Sequence, residues 1–144
     1  MPANQMIRVI LDTNLWISYL ISKRIRKIDE LFERNDLVLL FSEELLEEFI
    51  EVAGRSKFRS YFPNEDVEEL LSLFDELGEI IEVKTDVNVC RDPKDNFLLA
   101  LAQDGNADFL ITGDEDLLVI KKFGATEILS FIQFIETSRG SFST

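Results

Sequence analysis

Short apolar runs recur along this chain, separated by stretches whose apolar residues fall three and four apart. Val9-Ile10-Leu11, Leu37-Val38-Leu39-Leu40-Phe41, Ile80-Ile81-Glu82-Val83, Phe109-Leu110-Ile111-Thr112 and Thr126-Glu127-Ile128-Leu129 have strand length and little polar alternation. Such runs suit strands covered on both faces, as in the middle of a parallel sheet. Between them the spacing turns helical. Trp16, Tyr19 and Leu20 share a face within Leu15–Ile21, with Asn14 or Thr13 as N-cap, and Ile25, Ile28, Leu31 and Phe32 share another before a turn at Asn35-Asp36. Ser42 is placed to cap a helix that opens on Glu43 and Glu44, runs to Ala53 and stops at Gly54. Pro63 to Leu77 predicts a helix ended by Gly78, and Asp92-Pro93 opens an almost wholly apolar one, Phe97 to Ala102, ended at Gly105-Asn106. A short helix after Asp116 and a closing one over Phe131–Ile135 complete the alternation.

Strand and helix in turn predict an α/β fold of three layers, α/β/α, around a central parallel sheet of about five strands with right-handed crossovers. No repeat or interdomain linker interrupts residues 1–137, which read as one domain. Arg55 to Pro63 reads as a surface arm, and 138–144 as a short, frayed polar tail.

In a parallel sheet the loops after the strands share one edge, where ligands bind. Asp12 follows the first strand, while Asp114 and Asp116 follow the fourth. Asp92 and Asp95 stand at the entrance to the buried helix that feeds the fourth strand. Each has a structural explanation: Asp92 suits an N-cap, and Asp114 and Asp116 suit the start of a short helix. The set, arriving from separate elements, favours a cation site, because crowded carboxylates repel unless a positive ion joins them. Glu48 adds a further acid. It flanks the apolar arc of its helix beside Leu45 and Val52, with Glu47 slightly further round and Glu51 opposite.

Composition narrows the chemistry. The 144 residues include no histidine and one cysteine, Cys90. That excludes a Ser-His-Asp triad, imidazole acid–base catalysis, His-ligated zinc and an internal disulfide. A metal held by such a chain is hard and oxygen-loving, Mg²⁺ or Mn²⁺. The net charge of −13 opposes nucleic-acid binding overall. Local basic segments survive, however, at Lys23, Arg24, Arg26 and Lys27 and at Arg55, Lys57 and Arg59. No apolar run has membrane-spanning length and the N-terminus lacks signal-peptide character, so the expected location is the cytoplasm, with no membrane partner.

The motifs Leu11-Asp12-Thr13-Asn14, Leu45-Leu46-Glu47-Glu48, Arg91-Asp92-Pro93-Lys94-Asp95-Asn96 and Leu110-Ile111-Thr112-Gly113-Asp114-Glu115-Asp116, in that order, resemble a PIN domain over Ile7 to Ile135. The Arg-Asp-Pro-x-Asp-Asn segment resembles the bacterial and archaeal branch described as toxins of toxin–antitoxin pairs. The resemblance implies a Mg²⁺- or Mn²⁺-dependent ribonuclease. It assigns the family's acidic quartet to Asp12, Glu48, Asp95 and Asp114, with Asp116 as a fifth acid. Asn14, Thr112 and Asp92 match supporting positions. A metal ion there would bind through Asp12, Asp95, Asp114 and Asp116, acidify a water and neutralise charge on the scissile phosphate. Single-stranded RNA is the implied substrate, held by the basic segments, and a small antitoxin and a second copy of the chain are the implied partners. Two other readings compete. A receiver- or phosphatase-like phosphoryl-transfer domain also places an acid after its first strand, but Asp12-Thr13-Asn14 lacks a second aspartate and no lysine accompanies Thr112-Gly113-Asp114. A non-catalytic acidic scaffold that binds a protein partner is compatible with the charge and the 12 phenylalanines.

Overall fold

The computed structural model describes residues 6–15, 17, 36–54, 68, 72, 75, 76 and 78–142. Its sheet has six strands: β1 (Ile7–Leu11), β2 (Leu37–Phe41), β3 (Gly78–Ile80), β4 (Phe109–Ile111), β5 (Lys122–Phe123) and β6 (Thr126–Leu129). Their order is β3-β2-β1-β4-β6-β5. β1 pairs in parallel with β2 on one side and β4 on the other. The apolar run Val9-Ile10-Leu11 is therefore enclosed, and all three residues are buried. β2–β3 and β4–β6 are also parallel, so the α/β architecture matches the alternating pattern.

Four helices are labelled here: α1 (Glu43–Ala53), α2 (Pro93–Asp104), α3 (Glu115–Leu118) and α4 (Phe131–Phe142). The Ser42 hydroxyl accepts from the Leu45 N–H at 3.0 Å, and the Asp92 carboxylate accepts from the Lys94 N–H at 2.9 Å, so both predicted caps form. Ser130 and Gln133 cap α4 reciprocally, side chain to backbone in each direction, at 2.9 and 3.2 Å. α2 buries Leu98 through Ala102 without a break. Its end packs tightly on the sheet: a methyl added at Gly105 would lie 3.0 Å from Leu40 Cδ1 and 3.2 Å from Ile81 Cγ1. Phe109 of β4 meets Phe134 of α4 edge to face, with ring centroids 5.2 Å apart.

Several boundaries differ from the pattern-based expectation. The third strand is Gly78–Ile80, not Ile80–Val83. Its partner β2 stops at Phe41, where Ser42 turns the chain into α1, so only Ile81 N–H finds a further acceptor, Phe41 O at 2.8 Å. Gly78 accordingly is the first residue of that strand. The first helical turn is capped by Asp12, not by Thr13 or Asn14, which already lie within it. Asp12 O accepts from Leu15 N–H at 2.9 Å, and its carboxylate accepts from Asn14 N–H at 3.2 Å. α4 continues through Phe142, past Ile135 and into the segment expected to fray. β5 was not anticipated: two residues fold back antiparallel on β6 through a turn in which Gly124 has φ +61°. The helices expected at Leu15–Ile21, Ile25–Glu33 and Pro63–Leu77 lie largely outside the described residues. Among the described residues no helix is long and apolar enough to cross a membrane.

Candidate metal centre

The strand order places a topological switch between β1 and β4. From β1 the chain proceeds to β2 and β3 on one side, and β4 and β6 lie on the other. Connections diverge there and leave a crevice at the carboxyl ends of the two strands. Asp12 is the first residue past β1, and its N–H donates to Ile111 O of β4 at 3.0 Å. Thr112 is the first past β4. Its hydroxyl donates to Asp12 Oδ2 at 2.8 Å and accepts from Asp114 N–H at 3.0 Å. One fully buried hydroxyl thus ties together two acids 102 positions apart in the sequence.

Asp114 caps α3, its Oδ1 accepting from Asp116 N–H at 2.9 Å. Asp95 enters from the first turn of α2 and is buried. Asp95, Asp114 and Asp116 each offer an oxygen within 4.8 Å of the others. A cavity of about 280 Å³ opens over the cluster, and Asp12, Asn14, Glu48, Asp92, Asp95 and Asp114 all line it. Glu48 is half-buried there, whereas Glu47 on the same helix is exposed and does not reach it. Thr112 acts from beneath, and Asp116 stands at the exposed margin.

Electrostatics inside the cavity oppose ionisation. Burial pushes the pKa of Asp12 up against the opposing hydrogen bonds from Thr112 and Asn14, and the nearby Asp114 and Glu48 add to the rise. Burial also raises Asp95, to about 6, with Asp114, Asp92 and Asp12 contributing repulsion and a hydrogen bond shared with Asp114. The outer acids have cations of their own. Lys94 Nζ lies 2.9 Å from Glu48 Oε1, and Arg91 Nη2 lies 3.3 Å from both carboxylate oxygens of Asp116. Sequence reasoning missed both pairs, because each joins elements far apart in the chain. It also passed over Thr13, a residue of the cavity wall whose buried hydroxyl has no hydrogen-bond partner among the described residues. The basic segments Lys23, Arg24, Arg26, Lys27, Arg55, Lys57 and Arg59 lie outside the described residues.

The donor set is all oxygen: three clustered carboxylates, with those of Asp12, Glu44, Glu48 and Asp92 in the same cavity wall. Those groups fit a hard divalent cation, which favours carboxylate ligands and often retains several waters. The comparisons with known proteins point the same way. A family model described as "PIN domain" matches residues 8–116. The chain is also 35% identical over 118 residues to the uncharacterized protein MJ1680 of Methanocaldococcus jannaschii, covering 80% of this chain and 76% of that one. No solved structure matches.

Proposed function

The chain belongs to the PIN domain family, and from that premise we propose that it is a divalent-metal-dependent endoribonuclease that hydrolyses phosphodiester bonds of single-stranded RNA. PIN domains are in general metal-dependent nucleases, and the acidic cluster could hold an ion of the kind they need. The observation that carries the reading is the convergence of Asp12, Asp95 and Asp114 on one cavity, with Asp95, Asp114 and Asp116 close enough to share an ion. In this assignment Asp12, Asp95, Asp114 and Asp116 hold Mg²⁺ or Mn²⁺, with Glu48 completing the shell. When bound, the ion supplies positive charge at the scissile phosphate and a more acidic water.

The chain's own residues prepare that site. Thr112 orients the carboxylate of Asp12, and the end of β1 and the first turn of α2 bring Asp12 and Asp95 to one cavity. Asp12 and Asp95 retain protons more readily than ordinary aspartates, and a bound cation reverses that preference. With no histidine in the chain, proton transfer at the site falls to carboxylates and water. The net charge of −13 supports a small basic protein as partner, as in a toxin–antitoxin pair acting in the cytoplasm. The deciding assay is Mn²⁺-dependent cleavage of single-stranded RNA by the purified protein. We expect cleavage by the wild type and a loss of at least 100-fold, roughly, in Asp12→Asn, in line with removing a group that orients or charges a reacting centre. Equal cleavage by the two proteins rejects the assignment.

A further inference from the structure

Among the described residues, the cations paired with acids of the cleft come from one short stretch. Arg91 and Lys94 flank the N-cap of α2, immediately before the buried Asp95. They reach opposite neighbours: Lys94 crosses to Glu48 on α1, and Arg91 crosses to Asp116 on α3. Of the two carboxylates they engage, Asp116 is exposed and Glu48 half-buried, while the buried Asp12 and Asp95 have no cationic partner among the described residues.

Local helix chemistry does not account for this placement. Lys94 is the second residue of α2, at the positive end of the helix dipole, where a cation is disfavoured. Residues that break a local rule mark places where another requirement prevails. Here the requirement is charge balance in a cleft dense with carboxylates. Both pairs are also easily broken. Arg91 is 89% exposed and Lys94 67% exposed, so water and salt screen their attraction to the partner acids. A divalent ion competing for Glu48 and Asp116 carries twice the charge of either side chain. The cations it releases remain tethered at the mouth of the cavity, where an incoming polyanion would meet them.

We propose that Arg91 and Lys94 form an exchangeable phosphate clamp, neutralising Asp116 and Glu48 in the metal-free protein and passing to the RNA backbone when a divalent cation takes those carboxylates. The clamp rests on the ribonuclease reading for the identity of its polyanion. Reaching toward different helices, the two side chains would engage phosphates that flank the one entering the cleft. The guanidinium suits bidentate contact with phosphate oxygens, and the ammonium acts as a point charge.

The test uses the full chain with two readouts: Mn²⁺ affinity by calorimetry without RNA, and anisotropy of a fluorescent, hydrolysis-resistant phosphorothioate oligouridine in Mn²⁺ over a range of salt. Arg91→Gln and Lys94→Met should each bind Mn²⁺ about threefold or more tightly than wild type, since a competing cation is gone. Each should also reduce the slope of log Kd against log salt by about 0.7, the value for one phosphate contact on a single strand, and the double variant by about 1.4. Arg91→Lys and Lys94→Arg, which keep the charge, should keep the slope. Unchanged slopes in the double variant, or weaker Mn²⁺ binding in the neutral variants, overturn the clamp while leaving the ribonuclease reading intact. A wild type that neither binds nor cleaves RNA in Mn²⁺ overturns that reading and the clamp with it.

Discussion

Asp95 concentrates the electrostatic strain of the cleft. Its pKa in the folded protein is about 6, against an ordinary value of 3.8. Between those values the folded chain holds a proton that the unfolded chain has released. Stability therefore falls as pH rises through that window, and the loss is complete above it. Asp12 shifts in the same direction, also chiefly by burial. Glu79, held down by Arg8, and Asp104, held down by its hydrogen bonds to Thr85 and Lys84, shift oppositely and lose their contribution on acidification through their lowered pKa values. Comparing Asp95→Asn with wild type removes that titration while keeping the side chain's shape. In chelator, the variant's relative stability should be flat below about pH 4, climb to about pH 6 and then level off. The gain is on the order of 2–3 kcal/mol, since each tenfold change in proton affinity is worth about 1.4 kcal/mol. Urea unfolding at a series of pH values measures it, and a pH-independent difference would contradict the assignment of the raised pKa to Asp95.

Elements bring the acids in by their ends, and capping and metal binding make different demands there. Asp92 lines the cavity, yet its carboxylate accepts from Lys94 N–H as the N-cap of α2. Serine caps almost as well as aspartate, whereas alanine costs about 1 kcal/mol. Asp92→Ser should therefore keep the wild-type midpoint in urea, and Asp92→Ala should lose about 1 kcal/mol. If both variants lose the same amount, charge rather than capping is what Asp92 contributes. The same element-level rules were legible in advance for α1 and α2, whose Ser42, Asp92, Pro93, Gly54 and Gly105 all occupy the expected ends. They failed at β3, because a strand's length depends on its neighbour: β2 ends at Phe41 and the ladder ends with it. β5 was illegible for a related reason, being two residues held by pairing with β6 rather than by any pattern of their own.

Across the whole molecule, the −13 charge and the buried acids make the metal-free state electrostatically tense, and a bound cation should relieve it. An ion that binds the folded chain alone adds about 2.7 kcal/mol at a hundredfold excess over Kd. Thermal unfolding with and without Mn²⁺ should show that stabilisation in wild type and little of it in Asp114→Asn, which loses one member of the cluster. Mn²⁺ stabilising both proteins equally would locate the ion elsewhere. Monovalent salt should stabilise the metal-free protein only weakly, because screening acts poorly on the buried part of the cluster.

The sequence by itself determined most of the described elements and put forward the acids as candidates. Apolar runs of strand length, glycine stops and side-chain caps are local signals, and an acid that directly follows an apolar run, as Asp12 follows Leu11, announces a sheet edge. Only the tertiary structure decided which groups share a cavity and on what terms. The hydroxyl of Thr112 bridging Asp12 and Asp114, the burial of Asp95, and the partnership of Arg91 and Lys94 with acids on other helices all follow from strand order. Those contacts span as many as 100 positions between partners, and no local pattern encodes a distance of that kind.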